Sequence, residues 1–424
     1  MYGTLIWSTS AAALSAGLIA YRRTRDPLHP MVLMAPMFAF LYGLMPLRLW
    51  ITGQLSSYYD QADLTRVQLI NLIGVLAFSY GCVKPGKPRT APSVRSPSPQ
   101  MLHTAVAGLG IVGFGAWTSG VLSVGGFQEA YGQAKGGGWS DYGYVRDAPL
   151  VLFAAALLLL VFEAGKFTSR SRLLLACVLV SPWAIQGILG ARRGPTFMVF
   201  ASITVAWYIG RRARPPLAVV AVAGAVVSLL IVFLVLNRGK IYPGTQEQFD
   251  LNVDTFGSEA DQANEYVYGA AAILNSTQDG GFFWGKRLLA QVIVRPVPRQ
   301  LWPDKYADFG VPELEFNAGT ALESATDVRA TKGSAPGIVA DMWLEFHWLA
   351  WPALYICGVT YGRCWSNARA VGGAWAAQYA TLAALSLYFV MQTMEAVIFR
   401  TLIISAPIWF LCRPNRANRP PRTA

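Results

Sequence analysis

Apolar stretches long enough to cross a bilayer recur along the chain, separated by short polar breaks. A crossing helix needs about 20 predominantly apolar residues, because its backbone must bond internally through the hydrocarbon layer. On that criterion the chain holds about eleven spans. They fall near 3–21, 31–51, 66–83, 102–120, 148–165, 173–190, 195–210, 216–237, 338–360, 371–390 and 398–412. The interval from Lys84 to Gln100 is rich in proline, serine and basic residues and reads as a loop. Residues 121–147 are rich in glycine and tyrosine, including Gly136-Gly137-Gly138-Trp139, and read as an irregular connection. A long polar segment runs from Arg238 to Gly337, with an amphipathic helix expected near 258–276. The pattern predicts an all-α polytopic membrane helical bundle in three parts: spans 1–8 over 1–237, a large loop over 238–337, and spans 9–11 with a tail over 338–424.

Charge refines the picture. Only 14% of residues are charged, against about 25% in soluble domains. The net charge of +12 would point to nucleic acid in a soluble chain, but here it follows topology, and no nucleic-acid partner is expected. Placing the N-terminus outside and alternating puts Arg22/Arg23/Arg25, Lys84/Lys87/Arg89/Arg95, Lys166/Arg170/Arg172, Arg211/Arg212/Arg214, Arg363/Arg369 and the tail arginines on the cytoplasmic side. That is more than half of the 35 Lys and Arg, with only Asp26 and Glu163 among the acids. The C-terminus is then cytoplasmic. No basic residue precedes the first apolar stretch, which reads as a retained span and not a cleaved leader. Cys82, Cys177, Cys357, Cys364 and Cys412 all fall on or near the inner side, so no disulfide is expected.

This topology leaves Arg192 and Arg193 outside, in the short turn Gly190-Ala191-Arg192-Arg193-Gly194-Pro195, where basic residues are disfavoured. Pro195 suits the first turn of a helix. Free N–H groups at that helix start would add to the two guanidiniums in holding an anion. The competing reading is a snorkelling pair at the lipid headgroups.

The long outer segment carries Gly285-Lys286-Arg287 and then Arg295-Pro296-Val297-Pro298-Arg299-Gln300-Leu301-Trp302-Pro303-Asp304-Lys305. Its prolines exclude a continuous helix and make a rigid, extended run. Arg295, Arg299 and Lys305 would be held there as phosphate-binding cations, with Trp302 as a sugar-stacking or interfacial ring; the alternative is a structural plug with surface cations. Phe282 to Val294 is apolar enough to re-enter the membrane. Farther on, Asp341 and Glu345 stand four apart and share a helix face near the outer end of span 9. Acids at such depth are functional candidates. One could act as general base on a sugar hydroxyl, and one could equally pair with an arginine and hold it in place. His347 reads more readily as a packed histidine than a catalytic one. Glu395 and Arg400 stand in the last outer turn, Arg400 either as a further phosphate ligand or as a snorkelling residue.

These pieces resemble the O-antigen polymerase family, the Wzy-like polymerases of oligosaccharide repeat units. The resemblance rests on the outer Arg-Gly turn at 190–195, the late outer loop, the Pro-Arg-x-Leu-Trp-Pro-Asp-Lys run from Pro298 to Lys305, and the Pro336-Gly337-…-Asp341 entry to the next span. The family's acid is glutamate where Asp341 stands, so either Asp341 or Glu345 fills that position. The resemblance implies a GT-C-like membrane glycosyltransferase in a bacterial inner membrane. It would transfer glycan from an undecaprenyl-diphosphate-linked donor to the sugar end of a lipid-linked acceptor on the outer face. It further implies contact with membrane lipid and with a chain-length regulator protein. No nucleotide-sugar motif and no Asp-x-Asp motif is present, so neither metal nor cofactor is expected. Three alternatives stand beside it. An O-antigen ligase shares the chemistry and the large outer loop. A flippase of lipid-linked oligosaccharide would carry ionisable residues from side to side, whereas here they gather at one face. A membrane O-acyltransferase would use a histidine near a span, such as His29 or His103.

Overall fold

The computed structural model describes residues 1–84, 96–133, 147–162, 169–249, 265–279, 281–297, 301–311 and 335–412. In chain order its longer helices are α1 (Tyr2–Thr24), α2 (Pro30–Ile51), α3 (Gln61–Val83), α4 (Pro99–Ser123), α5 (Ala148–Val161), α6 (Ser169–Ile188), α7 (Arg193–Gly210) and α8 (Leu217–Leu236). There follow α9 (Glu265–Asp279), α10 (Lys286–Ile293), α11 (Ile338–Phe346), α12 (Ala350–Ala370), α13 (Ala374–Ala384), α14 (Ser386–Met391) and α15 (Met394–Leu411). No strand occurs among the described residues. Seven helices are long and apolar enough to cross a membrane: α1, α2, α3, α4, α6, α8 and α15. The stretch read as span 9 is divided. α11 ends at His347, whose φ of 51° and ψ of −125° break the helical path before α12 begins.

The chain forms two compact units. The first comprises Met1–Gly86, Val253–Gly362 and Leu385–Phe399. In it α1 packs along α2 and α3, and α9 lies against α11. Small residues let these backbones approach, as is usual where lipid removes the hydrophobic drive between helices. α3 and α12 cross at Gly81 and Gly358; a Cβ on Gly358 would stand 2.1 Å from the Phe78 carbonyl oxygen. A buried polar network ties the helices together. Gln68 donates to Thr9 Oγ1 (2.9 Å) and to the Tyr42 carbonyl (2.8 Å), and accepts from the Tyr266 hydroxyl (3.0 Å), which pairs with Tyr2 (2.9 Å). Each polar group buried there is matched, which is the condition for burying it cheaply. Tyr42 lies in a π-wound turn of α2, Phe40–Leu44, and its hydroxyl accepts the Val339 N–H at the start of α11 (3.1 Å). Gly337, with φ of 76°, lets the chain turn into α11 directly beneath that hydroxyl.

The second unit comprises Lys87–Asn252, Arg363–Ala384 and Arg400–Ala424. Its centre is α5, whose alanine and leucine side chains are buried all round, flanked by α4, α6, α7 and α13. A helix apolar on every side belongs in such a core. Two indole N–H groups are matched here: Trp183 donates to the Pro149 carbonyl (2.9 Å) and Trp409 to Gln378 (2.8 Å). α8 contrasts with α5, since its equally apolar surface is almost wholly exposed.

A buried arginine ringed by carboxylates

The first unit holds a compact charge cluster on α10, α11 and α15. Arg287 is fully buried at its centre. Its Nη2 donates to Asp341 Oδ1 at 2.8 Å and its Nε to Glu395 Oε1 at 2.5 Å, while Glu345 Oε1 stands 3.4 Å from the same Nε. Gln291 donates to the second Glu395 oxygen at 3.3 Å and accepts from Arg295 Nη1 at 2.9 Å. The guanidinium of Arg295 lies 3.6 Å over the Phe399 ring. The cation that the three carboxylates surround is thus a side chain of the chain itself.

Asp341 and Glu345 share one face of α11, as their spacing requires, and each also holds the start of another helix. Asp341 Oδ2 accepts the Met394 N–H at the head of α15 (2.8 Å), and Glu345 Oε2 accepts the N–H of Gly285, which caps α10 (2.9 Å). Helix starts leave N–H groups unpaired and carry partial positive charge, so a carboxylate is favoured at each. The two acids are not equivalent. Both oxygens of Asp341 are hydrogen-bonded. Glu345 Oε1 makes only the longer ion-pair contact and accepts no hydrogen bond.

The other residues singled out from sequence divide into several groups. Arg295 joins the cluster through Gln291. Lys305 does not present its ammonium as a phosphate ligand; the group is buried and donates to the carbonyls of Val294 and Arg295, each at 3.1 Å, and of Val297. Those carbonyls lie just past the end of α10, where Pro296 prevents its continuation. Trp302 donates to Asp308 Oδ2 at 2.6 Å. Arg299 lies outside the described residues.

Arg192, Arg193 and Arg400 belong to the second unit. There the turn between α6 and α7 is tight. Arg192 N–H bonds the Gly187 carbonyl at 2.8 Å, Ala191 adopts a left-handed φ of 46°, and its methyl is buried against Leu234 and Ile241. Helix α7 starts at Arg193, two residues before Pro195, with Arg192 as its cap residue.

Gln291 was not singled out from sequence, and Arg287 and Glu395 were noted without a role. A signal existed: Arg287 and Gln291 stand four apart on α10, and Arg295 continues that spacing just past its end. All five cysteines are free. Among the described residues no group of three His, Cys, Asp or Glu side chains is arranged to hold a metal ion. No family model, curated protein or solved structure matches the chain.

Proposed function

We propose that this chain is a membrane glycosyltransferase that polymerises lipid-linked oligosaccharide repeat units, as its resemblance to the O-antigen polymerases implies. One observation carries the reading: of the carboxylates locked around Arg287, Glu345 alone keeps an oxygen without a hydrogen-bond donor. In the proposed step Glu345 Oε1 takes the proton of the acceptor hydroxyl. The hydroxyl oxygen bonds to the anomeric carbon of the donor glycan. The bond from that carbon to the undecaprenyl diphosphate breaks, and the electron pair leaves with the phosphate. Arg295 and Arg299 are the cations assigned to that developing charge, and the sequence reading alone adds Arg192, Arg193 and Arg400 to them. Asp341 and Arg287 position Glu345. Glu345 is buried in the structure, so the acceptor must uncover it; the chain break at His347, two residues on, is the hinge assigned to that movement. The proposal includes about eleven crossings, with the shorter and broken helices α5, α7, α11–α12 and α13–α14 added to the seven long ones, the N-terminus outside and the tail in the cytoplasm of a bacterial inner membrane.

The test is the pattern of lipid-linked glycan in cells lacking the protein, complemented with wild type, Glu345→Gln or Arg193→Ala. A ladder restored by wild type, with single repeat units in both variants, is the expected result. A normal ladder in both variants would count against the reading. Intact polymer retained on its lipid carrier in the deletion strain would indicate a ligase, and units trapped inside would indicate a transporter.

A further inference from the structure

Beside Glu345 the first unit carries a run of contacting rings. Phe282 stacks on His347 with centroids 4.3 Å apart and meets Trp284 edge-on at 6.1 Å. His347 meets Trp343 at 4.9 Å and Trp348 at 5.2 Å, and Trp348 meets Trp351 at 5.1 Å. The run is pinned to the acid. Phe283 N–H bonds the Leu344 carbonyl at 3.0 Å, and Gly285 N–H bonds Glu345 itself. Two of its rings are open: Trp284 is 59% exposed and Trp348 56% exposed.

The backbone under these rings is unusual. Residues 283–286 form a turn closed by the Lys286 N–H on the Phe283 carbonyl, with left-handed φ at both central positions, 51° for Trp284 and 82° for Gly285. Asn, Asp or Gly normally fill the first of these positions. His347 sits at φ 51° and ψ −125°, a region that Gly occupies with little cost and other residues do not. Two ring-bearing residues thus hold glycine conformations on either side of the carboxylate. An indole that merely anchors the chain at a membrane surface needs depth and no particular backbone. Strain retained at a fixed place is the mark of a group whose direction matters.

We propose that the open faces of Trp284 and Trp348 form a stacking site for a pyranose ring of the glycan acceptor, next to Glu345. The inference rests on the glycosyl-transfer reading above and adds the subsite to it. The flat indole would cover the C–H face of the sugar and leave its hydroxyls toward the carboxylate. Tryptophan does this at low entropic cost, having two side-chain torsions to fix.

The probe is the free repeat-unit oligosaccharide released from its lipid carrier in cells lacking the protein. It is titrated against the full-length protein in phosphatidylethanolamine–phosphatidylglycerol nanodiscs while tryptophan fluorescence is followed. Trp284→Ala and Trp348→Ala should each weaken binding about tenfold, a change worth about 1.4 kcal/mol, and raise the acceptor KM while leaving kcat near wild type. Trp284→Gly separates presentation from packing: relieving the left-handed φ should raise the unfolding temperature while binding is lost. Wild-type affinity in both alanine variants would overturn the subsite, as would quenching of these two indoles by brominated acyl chains, which would make them membrane anchors. If those results came with an intact glycan ladder from wild type, the subsite alone would fall. If wild type made no ladder and bound no oligosaccharide, the glycosyl-transfer reading would fall first.

Discussion

Removing the Arg287 guanidinium would strand three carboxylates in an apolar interior. Arg287→Met should therefore destabilise the protein by about 3–5 kcal/mol, the usual cost of breaking a buried charge cluster from one side. Thermal unfolding in detergent measures it, and restoration by the added change Asp341→Asn would confirm that stranded charge is the cause. Glu345→Gln is the contrasting case. The amide oxygen can still accept the Gly285 N–H, so unfolding should shift little while polymer formation falls roughly 10²–10⁴-fold, as on loss of a general base. Lys305→Met tests the third role. Its ammonium serves three backbone carbonyls, so the variant should lose about 1–3 kcal/mol of stability, and activity should fall only with the folded fraction. A stable but inactive protein would return Lys305 to the substrate. At this scale the sequence made the acids visible and hid their partner. Asp341 and Glu345 announce a shared face by spacing alone, whereas Arg287 meets Asp341 across 54 positions of chain, and no local pattern encodes that pairing.

Among the elements, the start of α2 shows how a cap carries pH dependence. His29 Nδ1 accepts the Met31 N–H at 3.2 Å just before Pro30, while Asp26 Oδ1 accepts the Leu28 N–H at 3.0 Å in the same loop. Burial lowers the His29 pKa from 6.5 to about 4, with Asp26 opposing the shift. The folded protein therefore binds this proton less readily than the unfolded chain. Its contribution to stability is present above pH 6.5 and is lost as pH falls from there toward about 4. His29→Asn, which keeps a capping side chain without the titration, should flatten the pH dependence of unfolding in that window; an unchanged slope would assign it elsewhere. The helices themselves were largely legible, because apolar runs and the turn at 190–195 mark their ends. The break in α11–α12 was not, since neither Gly nor Pro stands at His347. α10 was read as part of an apolar re-entrant segment with Lys286 and Arg287 as cations, because Gln291 alone continues their polar face within it.

At the scale of the whole molecule, crossing number decides what the Arg192–Arg193 turn can do. Taken alone, the seven long helices already return the N-terminus, the tail, the 211–216 turn and the long segment after α8 to the sides assigned from charge. Adding α5, α7, α11–α12 and α13–α14 as crossings keeps all of those sides and changes only a few places. The α6–α7 turn moves from the cytoplasmic face to the outer one, and the α5–α6 connection and the end of α12 move the other way. The basic residues Lys166, Arg170, Arg172, Arg363 and Arg369 fall inside only with the added crossings, and Arg192 and Arg193 only without them, so charge favours the larger number while the diphosphate role of Arg193 exists in that scheme alone. Single cysteines in a cysteine-free background can distinguish them. Ser56→Cys should react with a membrane-impermeant maleimide in intact cells and Arg214→Cys only after permeabilisation, under either scheme. With all the shorter helices crossing, Arg193→Cys should react in intact cells and Ala370→Cys only after permeabilisation. The reverse pattern would place Arg192 and Arg193 in the cytoplasm and remove them from the proposed reaction. It would leave the Arg287 cluster, the carboxylate of Glu345 and the ring cluster beside it where they are, because the segment that follows α8 keeps its side in both schemes.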